Sequence, residues 1–304
     1  MTMTNNIKIY ANDGREINLY QWLPEGKPLK VILLSHGMGE HIERYADFAT
    51  ACNQNGIAVI AANHRGHGPD APILGYFAET DGWDLVLSDI ARIVKHITDS
   101  FTVNPILFGH SMGSFVARHY ASKHGKSLSG LVLCGSNHQG GLLVKVGLLA
   151  AKLERMRIGK STPSAFLDKL SFGDFNKKIK PLRTKQDWLC RDPKIVDQFL
   201  ADPYCGFICT PQFWIDFLGG LNEMSKTKAF KAIPKNLPIY LISGDADPVS
   251  RYGAGLSELK QKLLQSGSRN VTAHLYAGAR HELLNEVNRE EIYTDLFNWL
   301  NKID

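Results

Sequence analysis

Two hydrophobic periodicities share this chain. Nearly continuous apolar runs recur at Leu29–Ser35, Ile57–Ala61, Ile106–Phe108, Leu128–Cys134 and Leu237–Ser243, and Val271–Tyr276 reads as the last strand. Short runs without alternation predict strands covered on both faces. Between the earlier runs, Tyr45–Asn55, Trp83–Asp99 and Ser114–His124 carry apolar residues at helical spacing. The clearest of these helices sets Leu85, Ile90, Ile93, Val94 and Ile97 on one side. The first segment differs. I-K-I-Y and E-I-N-L-Y-Q-W alternate within Ile7–Leu23, and Asn12-Asp13-Gly14 between them predicts a hairpin. Strand alternating with helix predicts a parallel, doubly wound α/β sheet.

That rhythm breaks between Asn137 and about Phe230, where no buried strand is evident. Gly141–Arg157 reads as an amphipathic helix with Leu142, Val146, Leu149, Leu153 and Met156 on one face and Lys145, Lys152 and Arg155 elsewhere. A Pro-, Lys- and aromatic-rich tract follows, then a second apolar helix around Phe213–Leu221. The expected organisation is therefore a core formed by 1–136 and 231–304, with 137–230 inserted as a helical cap. A cap excludes water and lines a pocket. Its basic amphipathic helix suits either packing on the core or peripheral contact with a lipid surface; packing is the expected role.

Composition narrows the classes. With 304 residues, 44% hydrophobic and 21% charged, the chain is an ordinary globular one. A net charge of +5 without a basic block argues against nucleic acid. No apolar run is long enough to span a bilayer, and the N-terminus lacks a signal-type apolar region. The five cysteines lack metal-type spacing and predict reduced thiols in a cytoplasmic setting. Cys205 and Cys209 are spaced one helical turn apart, a core-packing arrangement. His36 and His41 lie in H-G-M-G-E-H, which is not a zinc spacing.

Candidate chemistry centres on Gly109-His110-Ser111-Met112-Gly113, a G-x-S-x-G between a strand and a helix. Such a turn lifts the Ser111 hydroxyl clear of the sheet. Gly109 and Gly113 keep the strand and helix free of a Cβ where they pass closely. The Met112 N–H opens a helix, where developing negative charge is favoured. The Gly-rich loop after Leu29–Ser35 offers a second amide, Met38 N–H. Asp245 and Asp247 follow one later strand, and His281 follows the last. Ligands bind at such carboxyl ends of strands in open sheets. Serine needs a base to become nucleophilic, imidazole can shuttle the proton, and a carboxylate can orient the imidazole.

These motifs resemble those of α/β-hydrolases of the monoacylglycerol lipase and lysophospholipase group, which includes serine aminopeptidase-like sequences. The resemblance rests on H-G-M-G-E-H at His36–His41, G-H-S-M-G at Gly109–Gly113, G-D-A-D at Gly244–Asp247 and G-A-R-H at Gly278–His281. It implies the α/β-hydrolase fold, a triad of Ser111, Asp247 and His281, and oxyanion donors at Met38 and Met112. It selects Asp247 over Asp245. The implied reaction is hydrolysis of a single-chain lipid ester through an acyl-enzyme, with neither metal nor organic cofactor. One departure is visible: Asn63 precedes His64-Arg65-Gly66-His67-Gly68 where the group usually has Asp, which questions a loop anchor. Two rival functions are an aminopeptidase or amidase, which needs acidic groups in the cap, and a ligand-binding homologue with little turnover. Acyl length, head group and oligomeric state are not encoded in these motifs.

Overall fold

A computed structural model describes residues 4–138 and 140–303. Its strands are β1 (Thr4–Tyr10), β2 (Glu16–Trp22), β3 (Lys30–Ser35), β4 (Ile57–Ala61), β5 (Ile106–His110), β6 (Gly130–Cys134), β7 (Ile239–Gly244) and β8 (Val271–Tyr276). They form one sheet in the order β1-β2-β4-β3-β5-β6-β7-β8. β1 and β2 make the expected hairpin, β2 joins β4 antiparallel, and every later pair is parallel.

The apolar runs are continuous because helices cover both faces of the sheet. Leu33, Leu107, Leu131, Leu133 and Leu241 face one core, closed by α2 (Gly82–Phe101), α3 (Met112–His124) and α9 (Ala254–Gln265). Their neighbours Ile32, Leu34, Phe108, Val132 and Ile242 face the other, closed by α1 (Ala46–Gln54) and α10 (Arg289–Leu300). Each such leucine or isoleucine contributes about 1.5–3 kcal/mol by leaving water. The sequence pattern predicts a terminal helix from about Leu283 to Asn301, and the helix found is shorter. Leu283–Asn285 is a single 3₁₀ turn and α10 begins only at Arg289. The intervening Glu286 turns its carboxylate back to the Arg280 N–H at 2.8 Å and Arg191 Nε at 2.8 Å.

Between β6 and β7 run α4 (Leu142–Ile158), α5 (Ala165–Phe172), α6 (Pro193–Ala201), α7 (Pro211–Met224) and α8 (Thr227–Ala232). Their starts follow local chemistry. Ser164, Asp192 and Thr210 accept hydrogen bonds from the first turns of α5, α6 and α7, and Pro193 and Pro211 occupy the first helical positions. Phe213, Phe217 and Leu221 of α7 join the core around Trp83 and Phe115.

The packing of α4 overturns the expectation for its apolar stripe. Leu142, Leu143 and Met156 are 77%, 80% and 74% exposed, and Val146, Leu149 and Leu153 also face solvent. The side seated on α7 carries Val144, Gly147 and Ala151. Small side chains let two helices approach closely, so the least bulky face packs. Glu154, also on that side, is buried in hydrogen bonds from Ser164 Oγ at 2.7 Å and Arg157 Nη2 at 2.7 Å. Cys205 and Cys209 do not share a helical turn. They lie in the irregular segment after α6, Cys209 buried and Cys205 half-buried, and all five cysteines are free thiols.

Candidate active site

β5 delivers Ser111 at the carboxyl end of the sheet's centre, and α3 starts one residue later. The turn is strained, with Ser111 at φ 51° and ψ −120°. Such a conformation costs about 1–3 kcal/mol and is held by its surroundings. Here the clamps are Ser111 N–H to the Cys134 carbonyl at 2.9 Å, and the Ser114 N–H and hydroxyl to the Ser111 carbonyl at 2.9 and 2.6 Å. Only glycine fits the flanks. A Cβ on Gly109 would lie 2.3 Å from the Gly113 carbonyl oxygen, and one on Gly113 would lie 2.0 Å from that of Ser35.

Asp247 and His281 meet below the surface. His281 Nδ1 lies 3.0 Å from Asp247 Oδ1, and both side chains are almost wholly buried. Asp247 also accepts from the Val249 N–H at 2.8 Å and the Ser243 hydroxyl at 3.1 Å. Asp245 is exposed and accepts from the Gly278 N–H at 2.7 Å, so it braces the turn that precedes His281. Burial works against a charged His281, but the Asp247 charge and hydrogen bond outweigh it, and the imidazole pKa rises above its ordinary value. Its neighbour His110, ring centroids 4.7 Å apart, is pushed down to about 4, first by burial and then by His281.

The loop 36–41 closes the other side. His36 Nδ1 lies 2.8 Å from the Gly37 carbonyl, and His36 Nε2 accepts the His64 N–H at 3.0 Å. Burial holds His36 down at about 3, keeping it a neutral bracket. Asn63 keeps the anchor that its identity had placed in question. Its Oδ1 accepts the Ile42 N–H at 2.9 Å, a contact that one carbonyl oxygen can satisfy. The Gly37 N–H donates to Glu40 Oε1 at 2.6 Å. By contrast, Met38 N–H and Met112 N–H have no acceptor among the described residues.

Three further residues were not legible as a group. Glu40 accepts from Arg44 at 2.8 Å and from the Tyr45 hydroxyl at 2.7 Å. Arg44 grips Glu282 with two bonds of 2.6 and 2.7 Å. A buried Glu40–Arg44–Glu282 bridge thus spans from loop 36–41 to the residue after His281. Glu40 lies inside H-G-M-G-E-H and Glu282 follows G-A-R-H, so charge flanking both motifs was the available signal. The segment between β6 and β7 also holds this loop: His281 and Glu282 N–H groups donate to the Trp188 and Leu189 carbonyls at 3.4 and 2.7 Å.

Ser111, His281, Gly37 and Met38 line one cavity of about 310 Å³. Phe172, Trp188, Leu189, Phe199, Phe207 and Ile208, all between β6 and β7, supply most of its apolar wall. Of the carboxylates lining it, Glu40 and Glu282 share the single guanidinium of Arg44, and Asp168 has Lys185 nearby. Among the described residues no helix is long and apolar enough to cross a membrane.

The sheet order, the strained strand-to-helix serine and the buried Asp–His pair together define an α/β-hydrolase. Comparisons with known proteins agree. The family described as serine aminopeptidase S33 matches residues 26–288. The monoacylglycerol lipase of Mycolicibacterium smegmatis is 27% identical over 92% of this chain and 90% of its own length. Human monoglyceride lipase is 28% identical over 95% of this chain and 86% of its own. A thermostable carboxyl esterase from Bacillus coagulans, solved in complex with glycerol, superposes with a TM-score of 0.90 at 28% identity, covering 100% of this chain and 99% of that one. The chain belongs to the serine aminopeptidase S33 family, as a serine hydrolase of the monoacylglycerol lipase group.

Proposed function

We propose that the chain hydrolyses a single-chain lipid ester, a monoacylglycerol or lysophospholipid, with Ser111, His281 and Asp247 as its triad. Asp247 accepts the Nδ1 proton of His281 and leaves Nε2 as the base. Ser111 Oγ attacks the acyl carbon while Nε2 takes its proton. The Met38 and Met112 N–H groups receive the oxyanion. The imidazolium then protonates the departing alcohol, leaving an acyl-serine. Water attacks that ester, its proton passes to His281 and then to Ser111, and the fatty acid leaves.

The carrying observation is that Ser111 and His281, the latter backed by Asp247, open on one cavity walled by aromatic and aliphatic side chains of 137–230. We assign that segment as a cap over a core of 1–136 and 231–304. The relatives' names and the glycerol held by the related esterase support a glycerol ester as substrate. An aminopeptidase would need a carboxylate free to receive the substrate's amine, whereas Glu40 and Glu282 are both held by Arg44 and Asp168 has Lys185 nearby.

The exposed stripe of α4 supports delivery from a lipid surface. Apolar side chains stand in solvent there, and the cap as a whole carries fifteen Lys and Arg against nine Asp and Glu, although the whole chain is only +5. An amphipathic basic helix of this kind rests on anionic interfaces. The five free thiols fit a reducing compartment such as the cytoplasm. The test of the nucleophile is labelling by a fluorophosphonate. One adduct on the Ser111 peptide is expected, and an unlabelled or differently labelled chain would defeat the assignment and favour a ligand-binding role.

A further inference from the structure

Three donors of different chemistry converge where the oxyanion loop meets the cap: an imidazole nitrogen of His41, a carboxylate oxygen of Asp202 and the thiol of Cys205, all within 4.8 Å of one another. His41 ends the loop that carries Met38, and Asp202 and Cys205 belong to the cap segment after α6. None of the three is a member of the triad or an oxyanion donor. The His41 ring is buried, with Nε2 at 2.8 Å from Asp202 Oδ2. Its Nδ1 has no hydrogen-bond partner among the described residues, yet faces the Glu43 carboxylate at 3.9 Å. A carboxylate behind the imidazole is how proteins orient a metal-binding histidine. Asp202 is preset as well: its Oδ1 accepts the Tyr204 N–H at 2.8 Å, and its carbonyl accepts the Cys205 N–H at 3.1 Å, folding the thiol back toward His41.

We propose that His41, Asp202 and Cys205 form a zinc site that clasps the cap to the oxyanion loop, distinct from the hydrolytic centre. One nitrogen, one oxygen and one sulfur suit a borderline-soft divalent ion, with a water completing the tetrahedron. On binding, Cys205 releases its thiol proton to solvent and forms a Zn–S bond. The proton of the His41 Nε2–Asp202 Oδ2 hydrogen bond moves to Nδ1, which faces Glu43, and the freed Nε2 and Oδ2 bind the ion. To reach the roughly 3.5 Å spacing of a tetrahedral site, the His41–Asp202 pair must open from 2.8 Å and the Cys205 thiol must swing in, both by side-chain rotation. Asp202 is 29% exposed and Cys205 half-buried, which leaves an entry path. The nearby Arg44 is balanced by Glu40 and Glu282, so the carboxylates of Asp202 and Glu43 still favour a cation. The seam is already joined by the Gly206 N–H donating to the Gly39 carbonyl at 2.8 Å. A bound ion there would hold cap residues 202–206 against the loop that carries Met38.

The test uses the full chain, fully reduced, and needs no substrate. Cys52, Cys134, Cys190 and Cys209 are buried, so a thiol reagent applied to the folded protein reports on Cys205. One equivalent of Zn²⁺ should slow Cys205 modification at least tenfold, read on its peptide by mass spectrometry, whereas Mg²⁺ should not. In competition with a chromophoric chelator, the wild type should take up one Zn²⁺ and release about one proton, and Asp202→Asn should bind at least tenfold more weakly. An unchanged modification rate, equal protection by Mg²⁺, or equal Zn²⁺ affinity in Asp202→Asn would overturn the site. None of these readings depends on Ser111 being the nucleophile, so the site and the esterase reading can fail separately.

Discussion

At the scale of single residues, the account turns on which aspartate serves His281. Asp247 is buried against the imidazole and Asp245 is an exposed brace on Gly278. Asp247→Asn should lower kcat by about 10⁴, because the amide favours the wrong imidazole tautomer. Asp245→Asn should cost far less, and the reverse ranking in steady-state kinetics would reject the assignment. The same substitution has a pH signature. The base form of His281 is required, so kcat/KM rises with pH through a pKa that lies above the ordinary imidazole value. Removing the Asp247 charge lets burial dominate, and the acid limb should move to lower pH. Position after the strand could not separate the two aspartates, since burial is decided by long-range packing of β7 and β8; only the motif resemblance favoured Asp247. The positions of Ser111 and His281 after strands were legible, because each follows from a local turn. Asn63 marks the opposite limit: its side chain was flagged as a weakened anchor, yet the Ile42 N–H needs only one acceptor.

Among elements, the Glu40–Arg44–Glu282 bridge couples two loops that must be registered for chemistry. Arg44→Met leaves two buried carboxylates unpaired and should cost about 3–5 kcal/mol of stability. Because Gly37 N–H hangs on Glu40, beside the Met38 donor, kcat should fall more than KM rises, while Arg44→Lys recovers part of kcat. A pure stability loss, with kcat per folded molecule unchanged, would reduce the bridge to a structural strut. Helix α4 teaches a different lesson. Its periodicity correctly announced a helix, but a hydrophobic stripe does not say what covers it. The face that packs is Val144, Gly147 and Ala151, chosen by close approach to α7 rather than by apolar area. Leu149→Glu with Leu153→Glu should therefore leave the melting temperature nearly unchanged, since exposed substitutions stay within about ±0.5 kcal/mol. Sedimentation with anionic vesicles should drop severalfold; a large loss of stability, or undiminished binding, would contradict an exposed lipid-facing stripe. Helices α5 and α6 went unread although Ser164 and Asp192-Pro193 are ordinary start signals, because their apolar patterns are short and interrupted.

For the whole molecule, the sheet was legible because burial on both faces writes itself into β3 to β7 as unbroken apolar runs. Strand β8 borders the sheet, its burial is patchy, and its end position follows from topology rather than hydrophobicity. The chain order of Ser111, Asp247 and His281 brings three distant segments to one end of that sheet, and side chains of the segment between β6 and β7 wall the cavity there. The central claim is that this assembly is a lipid esterase with an acyl pocket. Its most direct test is the rate of hydrolysis of p-nitrophenyl esters from acetate to palmitate, wild type against Ser111→Ala. The account predicts a kcat/KM that rises from acetate toward longer chains and falls by about 10⁴ or more in the variant. Activity confined to acetate, or turnover that survives Ser111→Ala, would contradict it.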